Sequence, residues 1–146
     1  MKLVGVFCSD VHLRHKVPIS RAETQAEWYD YQFRLLELLA KESKQVPLFI
    51  GGDLFDRWNS PPELINLALD ALPERTFTIA GQHDLPYHIK EHAHKSAYYT
   101  VCMSHNQFHL ETPYQDKNLI VYPFHWGDEL VKCPKDSDKL QIALIH

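Results

Sequence analysis

An α/β fold built on a largely parallel sheet is predicted by two features of the 146-residue sequence. Short apolar runs of strand length alternate with longer stretches whose apolar residues recur at helical spacing, and each run ends in a cluster of polar, titratable residues. Residues 2–8, KLVGVFC, read as a buried strand. Across residues 24–42, Trp28, Tyr31, Leu35 and Leu39 form one stripe, which predicts a core-facing helix. Residues 47–51, PLFIG, make the second buried strand. Ser60, Pro61 and Pro62 then open a helix through Leu64, Leu67, Leu69 and Leu72, because a proline in the first turn lacks only an N–H that would have no partner. Residues 75–80, RTFTIA, are the third strand, followed by a helix from about 87 to 103 and by further strands at 107–111, 118–122 and 139–145. Right-handed crossovers lay such strands side by side in one direction, so their C-terminal ends share an edge.

The length suits one domain over residues 1–146, and a 45% hydrophobic content suits a globular core. No apolar stretch approaches the ~20 residues that span a bilayer. Met1-Lys2-Leu3-Val4-Gly5 enters strand-like sequence without a signal-peptide layout, so a cytoplasmic protein with no membrane partner is expected. Cys8, Cys102 and Cys133 are far apart and form no C-x-x-C pair, which indicates reduced thiols rather than a disulfide framework or a thiolate zinc site. A net charge of −4 excludes global attraction to nucleic acid, leaving a local basic patch at Arg14, His15, Lys16 and Arg21. Ten histidines raise the prospect of a metal or acid–base site and also make chance motifs commoner.

At the strand ends stand SDVH with Asp10 and His12, GGDLFD with Asp53 and Asp56, GQHD with Gln82, His83 and Asp84, and finally His146 after LQIALI. Each motif alone is ordinary: D-x-H as a surface pair, G-D-x-x-D as a tight polar turn, GQHD as loop composition. Their joint placement after successive strands points to a shared site, since open α/β sheets bind ligands beyond the carboxyl ends of their strands. Carboxylate, imidazole and amide donors without a thiolate suit manganese, iron or zinc better than calcium or magnesium. Two ions sharing Asp53 would suit phosphoryl displacement, in which entering and leaving oxygens both need stabilising.

The ordered set Asp10-x-His12, Gly52-Asp53-x-x-Asp56, Gly81-Gln82-His83-Asp84 and His146 resembles the calcineurin-like metallophosphoesterases. SDVHL and GGDLFDRWNSPPELINLAL are similar to their SbcD-like DNA-repair exonuclease branch. The resemblance implies an α/β/β/α sandwich, and a phosphoesterase of the phosphodiesterase or exonuclease kind that uses hydroxide activated by two divalent ions, manganese first with iron or zinc as alternatives. Asp10 and His12 would hold one ion, Gln82 and His146 the other, and Asp53 would bridge. His83 would protonate the leaving oxygen with Asp84 orienting its ring, Asp56 would support a ligand from behind, and Arg57 would contact phosphate or pair with a carboxylate. Arg14 and Lys16 would face a DNA backbone or form a solvated loop, and an ATPase partner subunit is implied. Two departures stand out. Gln82 replaces the family's asparagine, and the family's further G-H-x-H-like block falls after the position of His146, where this sequence stops, so a C-terminally truncated, incomplete domain is expected.

Two rival readings fit other residues. HIKEH, residues 88–92, fits the H-x-x-E-H pattern of inverted zinc metallopeptidases through His88, Glu91 and His92, against a solvated helix face with His94 alongside. A catalytically impaired binding or assembly module is the other, with Trp28, Tyr29, Tyr98 and Tyr99 as its surface if they are not core.

Overall fold

The computed structural model describes residues 3–104, 109–132, 134 and 138–146. Strands β1 (Val6–Cys8), β2 (Leu48–Ile50) and β3 (Thr76–Thr78) form a parallel sheet in that order, with Val6 opposite Leu48 and Leu48 opposite Thr76. Helix α1 (Gln25–Glu42) links the first two strands and α2 (Pro62–Ala71) the second and third. A second sheet holds β4 (Tyr114–Gln115), β5 (Leu119–Phe124) and β6 (Leu140–Ile145), with β4 antiparallel and β6 parallel to β5.

Side chains alternate across β2 as the period of a strand requires. Leu48 and Ile50 join the helix-side core with Leu36, Leu64, Ala68 and Val101, whereas Phe49 packs between the sheets with Ile79, Leu119, Val121 and Leu144. The described residues thus stack as helices, sheet, sheet, three of the four layers expected. Among them no helix is long and apolar enough to cross a membrane.

Thr24 caps α1 in a reciprocal box with Glu27, and Pro61 precedes α2 with Pro62 in its first turn. The stripe predicted for α1 is corrected: Trp28, Gln32 and Leu36 are buried, while Tyr31 and Leu35 are exposed. The reason is polar. Gln32 accepts from the Arg14 N–H at 2.6 Å and donates to the Arg14 carbonyl at 3.1 Å, and the Trp28 indole donates to the same carbonyl at 2.8 Å. That turns the helix by one position and pins the loop after β1 to it. Arg21 lies apart, over the Tyr31 ring and bonded to Glu23.

A single helix over 87–103 is also corrected. The chain makes 3₁₀ turns at Gln82–Asp84, Pro86–His88 and Lys90–Lys95, then α3 (Ala97–Ser104). Tyr87 and His88 take left-handed backbone (φ 57° and 60°) and Ile89 is extended, which breaks helical propagation, and the Ser96 hydroxyl accepts from the Tyr99 N–H to start the helix afresh. Trp28 and Tyr98 are core, whereas Tyr99 is exposed. Strands were expected at 118–122 and 139–145 and occur as β5 and β6; of 107–111, residues 107 and 108 lie outside the described set and His109 makes one bridge to Thr78. Cys8 is half-buried and Cys102 buried, and both are free; burial pushes the thiols up to about 11 and about 12, so neither is a ready nucleophile. Cys133 lies outside the described residues.

Candidate metal centre

The loops beyond β1 and β2 are laced together by main-chain bonds: Asp10 N–H to Gly52 O (3.2 Å), His12 N–H to Asp53 O (2.9 Å) and Leu13 N–H to Leu54 O (2.9 Å). This lacing holds Asp10, His12 and Asp53 in left-handed backbone, at φ 54°, 49° and 50°. Such conformations cost roughly 1–3 kcal/mol each in non-glycine residues and persist only where the surroundings enforce them, so their coincidence on three donor residues makes this edge the candidate site.

Glycines let the loops close. A Cβ at Gly81 would stand 2.1 Å from Asp53 Oδ1 and 2.7 Å from His146 Nε2, and at Gly52, whose φ is +90°, it would meet the His146 ring at 2.5 Å. The glycines of GGD and GQHD are therefore where one strand-end loop passes directly over the side chains of another.

At the centre is Asp53, 1% exposed. Its Oδ1 accepts from the His83 N–H at 2.8 Å, but Oδ2 is buried with no hydrogen-bond partner. Around Oδ2 stand His146 Nε2 at 3.3 Å, His12 Nε2 at 3.7 Å and His83 Nε2 at 4.0 Å, with Asp10 Oδ1 3.6 Å from His12 Nε2. His146 Nδ1 faces the Gly51 carbonyl at 2.7 Å, which can only accept, so Nδ1 carries the hydrogen. Its Nε2 lone pair is then turned on Asp53 Oδ2 and, at 3.0 Å, on Gln82 Oε1. Three electron-rich atoms facing one another repel until a cation lies among them.

The donor atoms fall into two triads that share Asp53, namely His12, Asp53 and His83, and Asp10, Asp53 and His146. Four of the five residues expected as ligands, Asp10, His12, Asp53 and His146, stand in these triads, but His83 sits with His12, and Asp10 with His146. The longer arm of Gln82 reaches His146, so its carboxamide oxygen borders the second triad. Ser9, which the sequence motifs did not single out, donates to Asp10, and this bond lowers the Asp10 carboxyl; its adjacency in SDVH was the available signal.

The expectation that Asp84 orients the His83 ring is corrected. Asp84 is fully buried and turned inward, accepting from the amides of Leu54 (3.2 Å), Phe55 (3.1 Å) and Gly81 (3.1 Å). Burial pushes this carboxyl up to about 7 against the pull of those amides. It ties the β2 and β3 loops together; what orients His83 is its Nδ1 donating to the Asp56 carbonyl at 3.0 Å, leaving Nε2 toward Asp53. Asp56 backs His12, with Oδ1 4.0 Å from the buried, otherwise unpartnered Nδ1, and its Oδ2 lies 3.5 Å from Arg14 Nε and 3.9 Å from Arg57 Nε. Arg14, His15, Lys16 and Arg57 line a cavity of about 190 Å³ beside the centre.

His88, Glu91 and His92 form no such group among the described residues: His88 ends one 3₁₀ turn and His92 lies in the next, so the α-helical register that would set the two imidazoles one turn apart is absent.

The family model of the calcineurin-like phosphoesterases matches residues 6–138. The chain belongs to that family. No curated protein matches it. A calcineurin-like phosphoesterase needs divalent ions, and this one's residues fit them: an orphaned, buried carboxylate oxygen lies between two donor triads of carboxylate and imidazole, with a carboxamide oxygen at the rim. The two donor triads lie beyond the C-terminal ends of the parallel strands, where open α/β sheets bind ligands.

Proposed function

We propose that this metal-dependent phosphoesterase is a phosphodiesterase of the nuclease kind, acting on DNA or a similar chain of phosphodiesters, with manganese as the preferred ion. The observation that carries the reading is Asp53 Oδ2, buried and unpartnered where both triads meet.

In this reading Asp10, His12, Asp53, Gln82 and His146 hold two ions, with Asp53 between them. When bound, the ions lower the pKa of a water and polarise the phosphoryl oxygens. The protein's own residues do the rest. The His83 N–H fixes Asp53 through Oδ1, so Oδ2 keeps one direction. Asp56 steadies His12 from behind. As water attacks phosphorus and releases a proton to solvent, the opposite P–O bond breaks and His83 gives a proton from Nε2 to the leaving oxygen, to be recharged from solvent, the Nδ1 bond to the Asp56 carbonyl holding the ring in line. Arg14, Lys16 and Arg57 supply positive charge for a neighbouring phosphate, which a diester chain has and a monoester lacks; their cavity beside the centre supports the diester reading.

The test is hydrolysis of bis-p-nitrophenyl phosphate against p-nitrophenyl phosphate with and without Mn²⁺, for the wild type and Asp53→Asn, with folding checked by circular dichroism. Diester cleavage should require the ion, exceed monoester cleavage and fall by more than about 100-fold in Asp53→Asn, beyond what loss of an outer partner costs. Metal-independent cleavage or full activity in the folded variant would end the metal reading, and a preference for the monoester would end the diester one.

A further inference from the structure

We propose that the cleft beside the metal centre is a base-stacking subsite: the exposed Tyr87 ring, with Trp58 behind it, receives the flat face of a nucleobase attached to the scissile phosphodiester. This deepens the phosphodiesterase reading and rests on it.

The cleft, of about 390 Å³, is lined by Trp58, Tyr87 and His88 together with Gln82, His83 and Arg57, so it opens directly on the donor triads. Four rings stand in its walls: Trp58 and Tyr87 have centroids 6.1 Å apart at 43°, and His88 stands edge-on to His83 at 6.4 Å and 85°. A heteroaromatic base offers these rings a π-face, while Arg57, which the cleft shares with the basic cavity, is left for a phosphate.

Tyr87 is 73% exposed, so the fold gains little from burying it, yet it is held at φ 57°, ψ 21°, next to His88 at φ 60°. A glycine or asparagine would take this backbone with less strain. The turn is nevertheless over-determined: the His88 N–H bonds Leu85 O (3.0 Å), the Ile89 N–H bonds Pro86 O (3.0 Å), the His88 Nδ1 donates to Gln82 O (2.8 Å), and the His92 ring props Tyr87 edge-on at 6.3 Å. A strained turn that fixes a solvent-facing aromatic beside a reaction centre is a ligand clamp in form.

The cleft also shares Asp56, Arg57 and Asn59 with the basic cavity of Arg14, His15 and Lys16. Metal centre, ring-lined cleft and basic cavity therefore adjoin one another, in keeping with the phosphate, base and next phosphate of a polynucleotide.

The test compares KM for thymidylyl-thymidine with KM for analogues in which either base is replaced by hydrogen, in Mn²⁺, for the wild type, Tyr87→Phe and Tyr87→Gly. Tyr87→Gly relieves the backbone and so retains the fold. In the wild type one of the two abasic analogues should show a KM about ten-fold higher, equivalent to ~1.4 kcal/mol of stacking. Tyr87→Phe should keep that ratio and Tyr87→Gly should bring it close to one. A wild-type ratio near one for both analogues, or an undiminished ratio in Tyr87→Gly, overturns the subsite. If no diester is cleaved, the phosphodiesterase reading has failed separately. The subsite is then decided by NMR titration of the wild type and Tyr87→Gly with thymidine 5′-phosphate and deoxyribose 5-phosphate. Tighter binding of the nucleotide that disappears in Tyr87→Gly sustains it, and equal binding of the two ligands overturns it.

Discussion

A methyl group added at Gly81 tests the architecture of the centre more directly than deletion of any ligand. Gly81 has φ −94°, which alanine adopts freely, so the backbone raises no objection and only the space does. The new Cβ would lie 2.1 Å from Asp53 Oδ1, 2.5 Å from Asp53 N and 2.7 Å from His146 Nε2. Non-bonded atoms settle at about 3.5 Å, so the carboxylate or the loop must yield by more than about 1 Å. Neither yields freely: Asp53 is buried and bonded to the His83 amide at 2.8 Å, and the Gly81 amide is bonded to Asp84 at 3.1 Å. Overpacking of this kind costs roughly 1–3 kcal/mol, and a 1 Å displacement of a working group costs about 100-fold. Calorimetric titration with Mn²⁺ should show affinity for Gly81→Ala reduced about 100-fold, and thermal unfolding should fall by roughly 2–4 °C per kcal/mol lost. Gly127→Ala is the control, since its φ of +84° strains the backbone while no atom lies within 4 Å of the added carbon. It should lower the melting temperature and leave metal affinity intact. Wild-type affinity and melting temperature in Gly81→Ala would mean that the loops do not close as described.

Other perturbations separate the roles of neighbouring groups. His83→Asn should lower kcat by about 10²- to 10⁴-fold while Mn²⁺ stoichiometry by calorimetry is unchanged; loss of an ion would make His83 a ligand instead of a proton donor. Arg14→Gln with Lys16→Gln should reduce the slope of log affinity against log salt for single-stranded DNA by about 1.4, and an unchanged slope would remove both from the phosphate path. The His125 imidazole is buried, accepting from the Ala80 N–H at 2.9 Å and donating to Leu110 O at 3.0 Å, and burial, then His109, push it down to about 4. The unfolded chain takes that proton below about 6.5, so between these values it binds more protons than the native state, and stability should fall by up to about 3 kcal/mol as pH drops from about 6.5 to about 4. Urea unfolding across that range should show the slope, and His125→Gln should flatten it.

The sequence by itself determined the strand–helix alternation, the polar cluster after each strand and the kinds of donor those clusters contain. Each of these is a local property: burial writes period and run length into a strand, and glycine beside a carboxylate announces a tight crossing. What only the tertiary structure decided depends on directions set by distant partners. Gln32 and Trp28 are buried because the Arg14 carbonyl needs donors, a need invisible in helical spacing, although a polar residue one turn after a buried tryptophan was a hint. Asp84 turns inward because three amides of two loops lack any other partner there, not because it follows a histidine in sequence. Which donors share a triad, and that Trp58 and Tyr87 wall the same cleft, follow from how two sheet-edge loops stack on a third, and adjacency along a chain carries no information about that packing.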